Sequence, residues 1–544
     1  MRKQFANMML IIFLFALSLT LFTGCSKKTD KAESRTGPLT VGGKISVGSA
    51  IEPETWNPLI SELAAVQDVG RLVFAGLVLQ NDKGEWIPDL AQEVPTQVNG
   101  GISADGLTWT FRLKRDLKWQ DGQPVTAQDV RFTYDFILQN RQSVPWREGY
   151  EKILSVNVVD SATVTIRYAE AYPHAIRLFP FLLPSHRSAE LADVRQQNFN
   201  RLPVGAGPYV LKEWRQGDAL MFVANPLYHR GKPNLDEISY KIVPDRQIVL
   251  SQLKIGEVDL VGNIAFDQLE QLLSVTGVNT FLTRGVVWEH IDFNVDNPLF
   301  NDVRVRQAIS VAVDRTALIE KTLKNAGFPA YTDIHPLSWA YGANLTFPAR
   351  NLPHARELMA AAGWRAGSDG VLQKEGRRMS FLLTLPAGER FRIQAAEALA
   401  GQLAEIGVEM RLQPVERRQF FADVLPNRRF AAASFAWVNS TEPDNYDFWH
   451  SRRIPSTANR FTGKNYAGWK STEADILLDS LRLGGTLDSR RESYRRLQEL
   501  LLIEAPVIPL YYRADVAAAK RSIDFFKPNP FSGNFWNVWE WGLR

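Results

Sequence analysis

Cysteine is almost absent from this chain: Cys25 is the only one among 544 residues. No disulfide can close within it, and no thiolate metal cluster can form. Histidine is scarce as well, with seven residues scattered along the chain. None sits in a close His/Asp/Glu group, so no metal is expected. An excess of one charge is also lacking, since 63 basic and 59 acidic residues leave a net +4. The Arg-Arg pairs at 417–418, 428–429, 452–453, 490–491 and 495–496 are dispersed rather than gathered into a stripe. That distribution argues against nucleic acid as a partner. Catalytic signatures are missing too. There is no Gly-x-Ser-x-Gly elbow, and Gly205-Ala206-Gly207-Pro208-Tyr209 lacks the third glycine and the strand-to-helix setting of a nucleotide loop. The acids at 442, 444 and 447 have the crowded spacing common in loops rather than that of a glycosidase pair. Neither an enzymatic activity nor a cofactor is expected.

Long apolar runs are limited to one, Met8 to Phe22, preceded by Arg2 and Lys3. It is short for a spanning helix, which needs about 20 apolar residues, and fits a signal segment. Thr23-Gly24-Cys25 after it resembles a bacterial lipobox, which implies cleavage at 24 and acylation of Cys25. An uncleaved anchor with an incidental cysteine is the alternative. Residues 25–42 read as a polar, lysine-rich tether that holds a soluble body at a membrane surface.

A chain of this length exceeds one small core, so several domains are expected. Strand and helix patterns intermix, as in an α/β protein. Leu107–Leu113 alternates apolar and polar residues as a half-buried strand does, between turns at Asp105-Gly106 and Asp121-Gly122. Thr126 with Asp129 opens a helix through Leu138, and Asp302 opens another through Ile309. Further helices are expected at 353–362, 391–406 and 490–503, the first two stopped by Gly363 and Gly407.

The ordered motifs resemble one family. Ser103-Ala104-Asp105-Gly106-Leu107-Thr108-Trp109-Thr110-Phe111-Arg112-Leu113 leads into Trp119, Asp121-Gly122 and Pro124-Val125-Thr126-Ala127. Pro203 to Tyr209, Asn225-Pro226-Leu227-Tyr228, Gly231 to Ile238 and Gly256 to Leu260 follow. Then come Phe293-Asn294, Asp302 to Ala308, Ala362-Gly363-Trp364, Ile406-Gly407-Val408 and Ala505 to Leu510. Together, over about 45–515, they resemble the peptide/nickel class (family 5) of extracellular solute-binding proteins that feed ABC importers.

The resemblance implies a bilobed α/β clamshell of the periplasmic-binding-protein type II kind, with an added inserted domain. The implied division is 43–75, 203–298 and 510–544 for the first domain, 76–202 for the inserted domain, and 299–509 for the second lobe. It implies short peptides or a similar small solute as ligand, permease subunits as partners, a monomer, and no chemistry. A receptor or chaperone of the same shape, or a binder of a metal chelate or oligosaccharide, remains open. In peptide-binding members an aspartate three residues before an acid-proline pair receives the ligand's ammonium. Here that place is Asn439, ahead of Glu442-Pro443. An amide lacks the full counter-charge, so Glu442 or Asp444 are possible substitutes. Trp437, Val438 and Tyr446 are expected on the pocket wall, where large rings suit varied side chains. Glu52, Pro53 and Glu54 match the first-lobe segment whose backbone flanks the ligand. His450 reads as a structural histidine rather than a metal ligand, and Trp146 and Tyr150 as surface packing rather than contacts to the cleft.

Overall fold

Two long strands carry the architecture of the computed structural model, which describes residues 40–145, 147–192 and 197–544. The expected leader, Cys25, most of the tether and Trp146 lie outside the described residues. Val278–Phe293 and Val507–Lys520 run antiparallel. Their pairing proceeds from Val278 opposite Lys520 to Arg284 opposite Ala514, then resumes at Trp288 opposite Tyr512. The slip between Arg284 and Trp288 divides both strands into halves, and each half founds one wing of a single 11-stranded sheet.

On the Lys520 side, Leu260–Val261 joins at Ala518 and Ala519, followed outward by Lys44–Ser49, Glu237–Ile242, Ala219–Ala224 and Tyr209–Arg215. On the Val507 side, Ala432–Val438 pairs with Val287–Phe293, followed by Ser380–Pro386 and Glu409–Val415. Each lobe contains a parallel strand-helix-strand unit: helix Arg246–Ile255 links strands 237–242 and 260–261, and helix Arg390–Ala404 links 380–386 to 409–415. Parallel neighbours require such a crossover, and the helices cover the apolar sheet faces. The result is a bilobed α/β clamshell.

The inserted segment is built on a three-stranded sheet in the order Thr108–Arg112, Thr163–Tyr168, Ile153–Asp160, with helix Ala127–Gln139 beside it. Trp109 and Phe111 point into the core as the alternation requires, and Asp129 reaches back to accept the Thr126 N–H at 2.7 Å. The same Asp129 accepts the backbone N–H of Ser185 at 2.8 Å, which pins the helix to a distant turn. Its core is continuous with that of the first lobe, from Ile45 and Val47 to Val164 and Ile166. The second lobe has separate cores, one around Ile291, Phe300 and Leu383, another around Trp288, Trp449 and Trp469. Gly205 explains the glycine-rich turn: a Cβ there would lie 1.8 Å from the Val73 carbonyl oxygen. The turn is a close packing joint against the end of helix Ala64–Val73.

Candidate ligand-binding site

Strand Ala432–Val438 delivers its last residues to the space between the lobes. Trp437 stands opposite Trp288 and Val438 opposite Val287, and the Asn439 N–H donates to the Val286 carbonyl at 2.8 Å. Beyond it the chain folds over a buried carboxylate. Asp333 accepts the Trp449 Nε1–H at 2.5 Å, the Thr332 hydroxyl at 3.1 Å, and the Asn445 amide. Burial nevertheless raises its pKa, with the Trp449 bond opposing. Glu442 is buried too. Its Oε1 accepts the Trp339 Nε1–H at 2.8 Å, and Arg490 Nη2 stands 3.7 Å from Oε2. Burial raises the Glu442 pKa against the pull of Arg490. Asp333 and Glu442 thus hold the 439–450 loop in shape.

The opposing wall comes from the inserted segment: Glu148, Glu151, Lys152, Tyr172, His174 and Arg177. Between the walls lies a cavity of about 650 Å³, within the range of small-ligand sites. Trp437, Val438, Asn439, Glu442, Asp444 and Tyr446 all line it. Two contacts cross it. His174 Nε2 is 3.5 Å from Asp444 Oδ2, and Glu170 Oε1 accepts from Lys152 Nζ and Arg482 Nη2, each at 2.9 Å. Burial lowers the His174 pKa to about 4, so at neutral pH a neutral imidazole faces Asp444. The Arg482 guanidinium also sits 4.5 Å from the centre of the Tyr446 ring.

Asn439 commits both amide hydrogens, to the Asp333 carbonyl at 2.6 Å and the Tyr512 hydroxyl at 3.0 Å. Glu52 Oε1 accepts from Trp214 Nε1 at 3.2 Å and from the Gly217 N–H at 2.9 Å. Glu54 accepts from the Ser61 hydroxyl, and Pro53 is buried. None of Glu52, Pro53 and Glu54 borders the cavity; Ala50 and Ile51 border a second one of about 170 Å³ beside Asp68. Tyr150 is a core residue whose hydroxyl accepts the Phe179 N–H at 2.7 Å. His450 is buried, with Nδ1 accepting the Arg452 N–H at 3.0 Å. Among the described residues no three His, Cys, Asp or Glu side chains are grouped to hold a metal ion, and no helix is long and apolar enough to cross a membrane. No local sequence signal marks Asp333, His174, Lys464 or Arg482, because each reaches the cavity through tertiary packing.

A cleft between two lobes joined by paired crossover strands, with walls of both charge signs, is the architecture of a solute-binding protein. The chain belongs to the bacterial extracellular solute-binding proteins, family 5, whose middle region it matches over residues 85–457. It is 29% identical over 554 aligned positions to the oligopeptide-binding protein AppA of Bacillus subtilis, covering 100% of this chain and 99% of that one. It is 26% identical to the nickel-binding periplasmic protein of Escherichia coli, covering 82% of this chain and 85% of that one. Among solved structures, B. subtilis AppA in complex with a nonapeptide aligns with a TM-score of 0.67 and 28% identity, over 93% of this chain and all of that one. HbpA2 from Haemophilus parasuis shares the fold at a TM-score of 0.80 and 23% identity, over 92% of this chain and all of that one.

Proposed function

We propose that the protein captures short peptides between its lobes and presents them to the permease subunits of an ABC importer, without altering them. The supporting observation is the cavity of about 650 Å³, whose walls offer acids, bases and aromatic rings together. A peptide carries two opposite termini and varied side chains, and a mixed wall of this kind suits all three. Trp437, Val438, Asn439 and Tyr446 contact the ligand from the second lobe. The Glu52-Pro53-Glu54 segment, set back from this cavity with both carboxylates engaged by first-lobe donors, supplies no charge to the ligand. Residues 43–75, 203–298 and 510–544 form one domain around the inserted 76–202, with 299–509 as the second lobe. The body works as a monomer on the outer side of a bacterial membrane, held there by acylated Cys25.

Native mass spectrometry of protein purified from its host tests the ligand. Short peptides are expected to co-purify. Recovery of sugars or a metal chelate alone rejects the peptide reading. Membrane fractionation tests the anchor: Cys25→Ala should move the protein to the soluble fraction, and unaltered partitioning contradicts it.

A further inference from the structure

On the aromatic part of the cavity wall, Lys464 is a cation with no ion-pair partner among the described residues. Lys464 Nζ lies 5.6 Å from the centre of the Trp437 ring and 5.5 Å from that of Phe448. Trp437 and Phe448 are themselves packed at 4.9 Å, and Tyr466 stacks on Trp437 at 6.2 Å. All but Tyr466 border the cavity. Neighbouring charges are already engaged: Asp447 Oδ1 pairs with Arg453 Nε at 2.7 Å, and only the Asp447 main-chain carbonyl meets Lys464, accepting its backbone N–H at 3.2 Å. Among the described residues no carboxylate lies within ion-pair distance of Lys464 Nζ. The rings hold the lysine stem against an apolar wall and leave the ammonium's N–H donors for a guest.

We infer that Lys464 receives a carboxylate of the bound ligand, and, given the peptide reading above on which this rests, the free α-carboxylate at the peptide's C-terminus. A bound carboxylate would balance this ammonium on the aromatic face, in a site where both partners lose water and the pair gains strength accordingly. The specificity implied is for peptides with an unblocked C-terminus, largely independent of their internal sequence.

The test uses the full chain and three libraries of tri- to nonapeptides, with binding read by calorimetry and retained species by native mass spectrometry. One library has free C-termini, the second is C-terminally amidated, and the third is amidated with one internal glutamate. The wild type should favour the free acids over the plain amides by about tenfold, and Lys464→Met should bind both sets equally at the weaker level. Lys464→Arg should keep the preference, which separates lost charge from lost fold. Rescue of the amides by internal glutamate would place a side-chain carboxylate at Lys464 and overturn the C-terminal assignment. Equal wild-type binding of acids and amides would overturn the inference while peptide capture stands. Retention of no peptide from any library would overturn both.

Discussion

Asp292 is a fully buried carboxyl on the central strand, with His290 Nε2 at 3.5 Å from its Oδ1 as the facing polar atom. Burial raises its pKa from 3.8 to about 8 and lowers that of His290 to about 3. The folded protein therefore keeps Asp292 protonated at neutral pH, whereas the unfolded chain releases that proton above its ordinary 3.8. Stability declines as pH rises between those values, by about 1.4 kcal/mol per pH unit from this group. Asp68 and Asp515, raised by burial to about 6 and about 7, add slopes of the same sign. Asp292→Asn removes one slope and leaves the others, so the variant should melt higher than the wild type at pH 8 and match it near pH 4. Parallel melting curves across that range would refute the assignment. Asn439 makes the opposite case. Changing it to aspartate removes two donors, at the Asp333 carbonyl and the Tyr512 hydroxyl, and sets a carboxylate against a carbonyl oxygen. Asn439→Asp should lower stability by about 1–3 kcal/mol in urea titration, although Tyr512 can turn to donate; an unchanged midpoint would contradict it.

At the level of elements, the signals that announce themselves locally were legible in the sequence. The helix after Thr126 spans Ala127–Gln139, the one after Asp302 spans Val303–Ala312, and the late one spans Leu487–Glu504. Capping and glycine stops depend on neighbours a few residues away, so sequence alone reveals them. The Trp437–Tyr446 wall was legible for a different reason, its place beside an acid-proline pair. The opposite wall was not, because its residues lie at 148–152 and 171–177, in short turns and single helical turns that flank the strands Ile153–Asp160 and Thr163–Tyr168 and have no periodicity of their own. The strand slip was equally hidden. Gly285 lies within it, where a Cβ would stand 2.8 Å from the Arg513 carbonyl oxygen and from Asp515 Oδ1. Gly285→Ala must push the two crossover strands apart at the joint between the lobes, at a cost of about 1–3 kcal/mol. Chemical denaturation should show that loss, and a variant as stable as wild type would mean the joint has slack.

Across the whole molecule, one of the contacts between the lobes at the cavity is a carboxylate with two cationic partners. Glu170 on the inserted segment accepts from its own Lys152 and from Arg482 of the second lobe, and Arg482 also covers Tyr446 on the cavity wall. Both Glu170 and Arg482 are roughly half exposed, so each contact contributes under about 1 kcal/mol and weakens with salt. That is small for stability and sufficient for a latch, since a lobe-closing contact acts on the rate of opening rather than on the fold. Glu170→Gln should release bound ligand a few times faster at low ionic strength, with little change in association rate or melting temperature. Raising the salt should bring the wild type toward the variant, because screening removes what the substitution has already removed. Arg482→Ala should accelerate release at least as much, through the added loss of its contact with Tyr446, and the double variant should fall short of the sum. Stopped-flow release traces that overlay for all four proteins at every salt concentration would show that the lobes close without this contact.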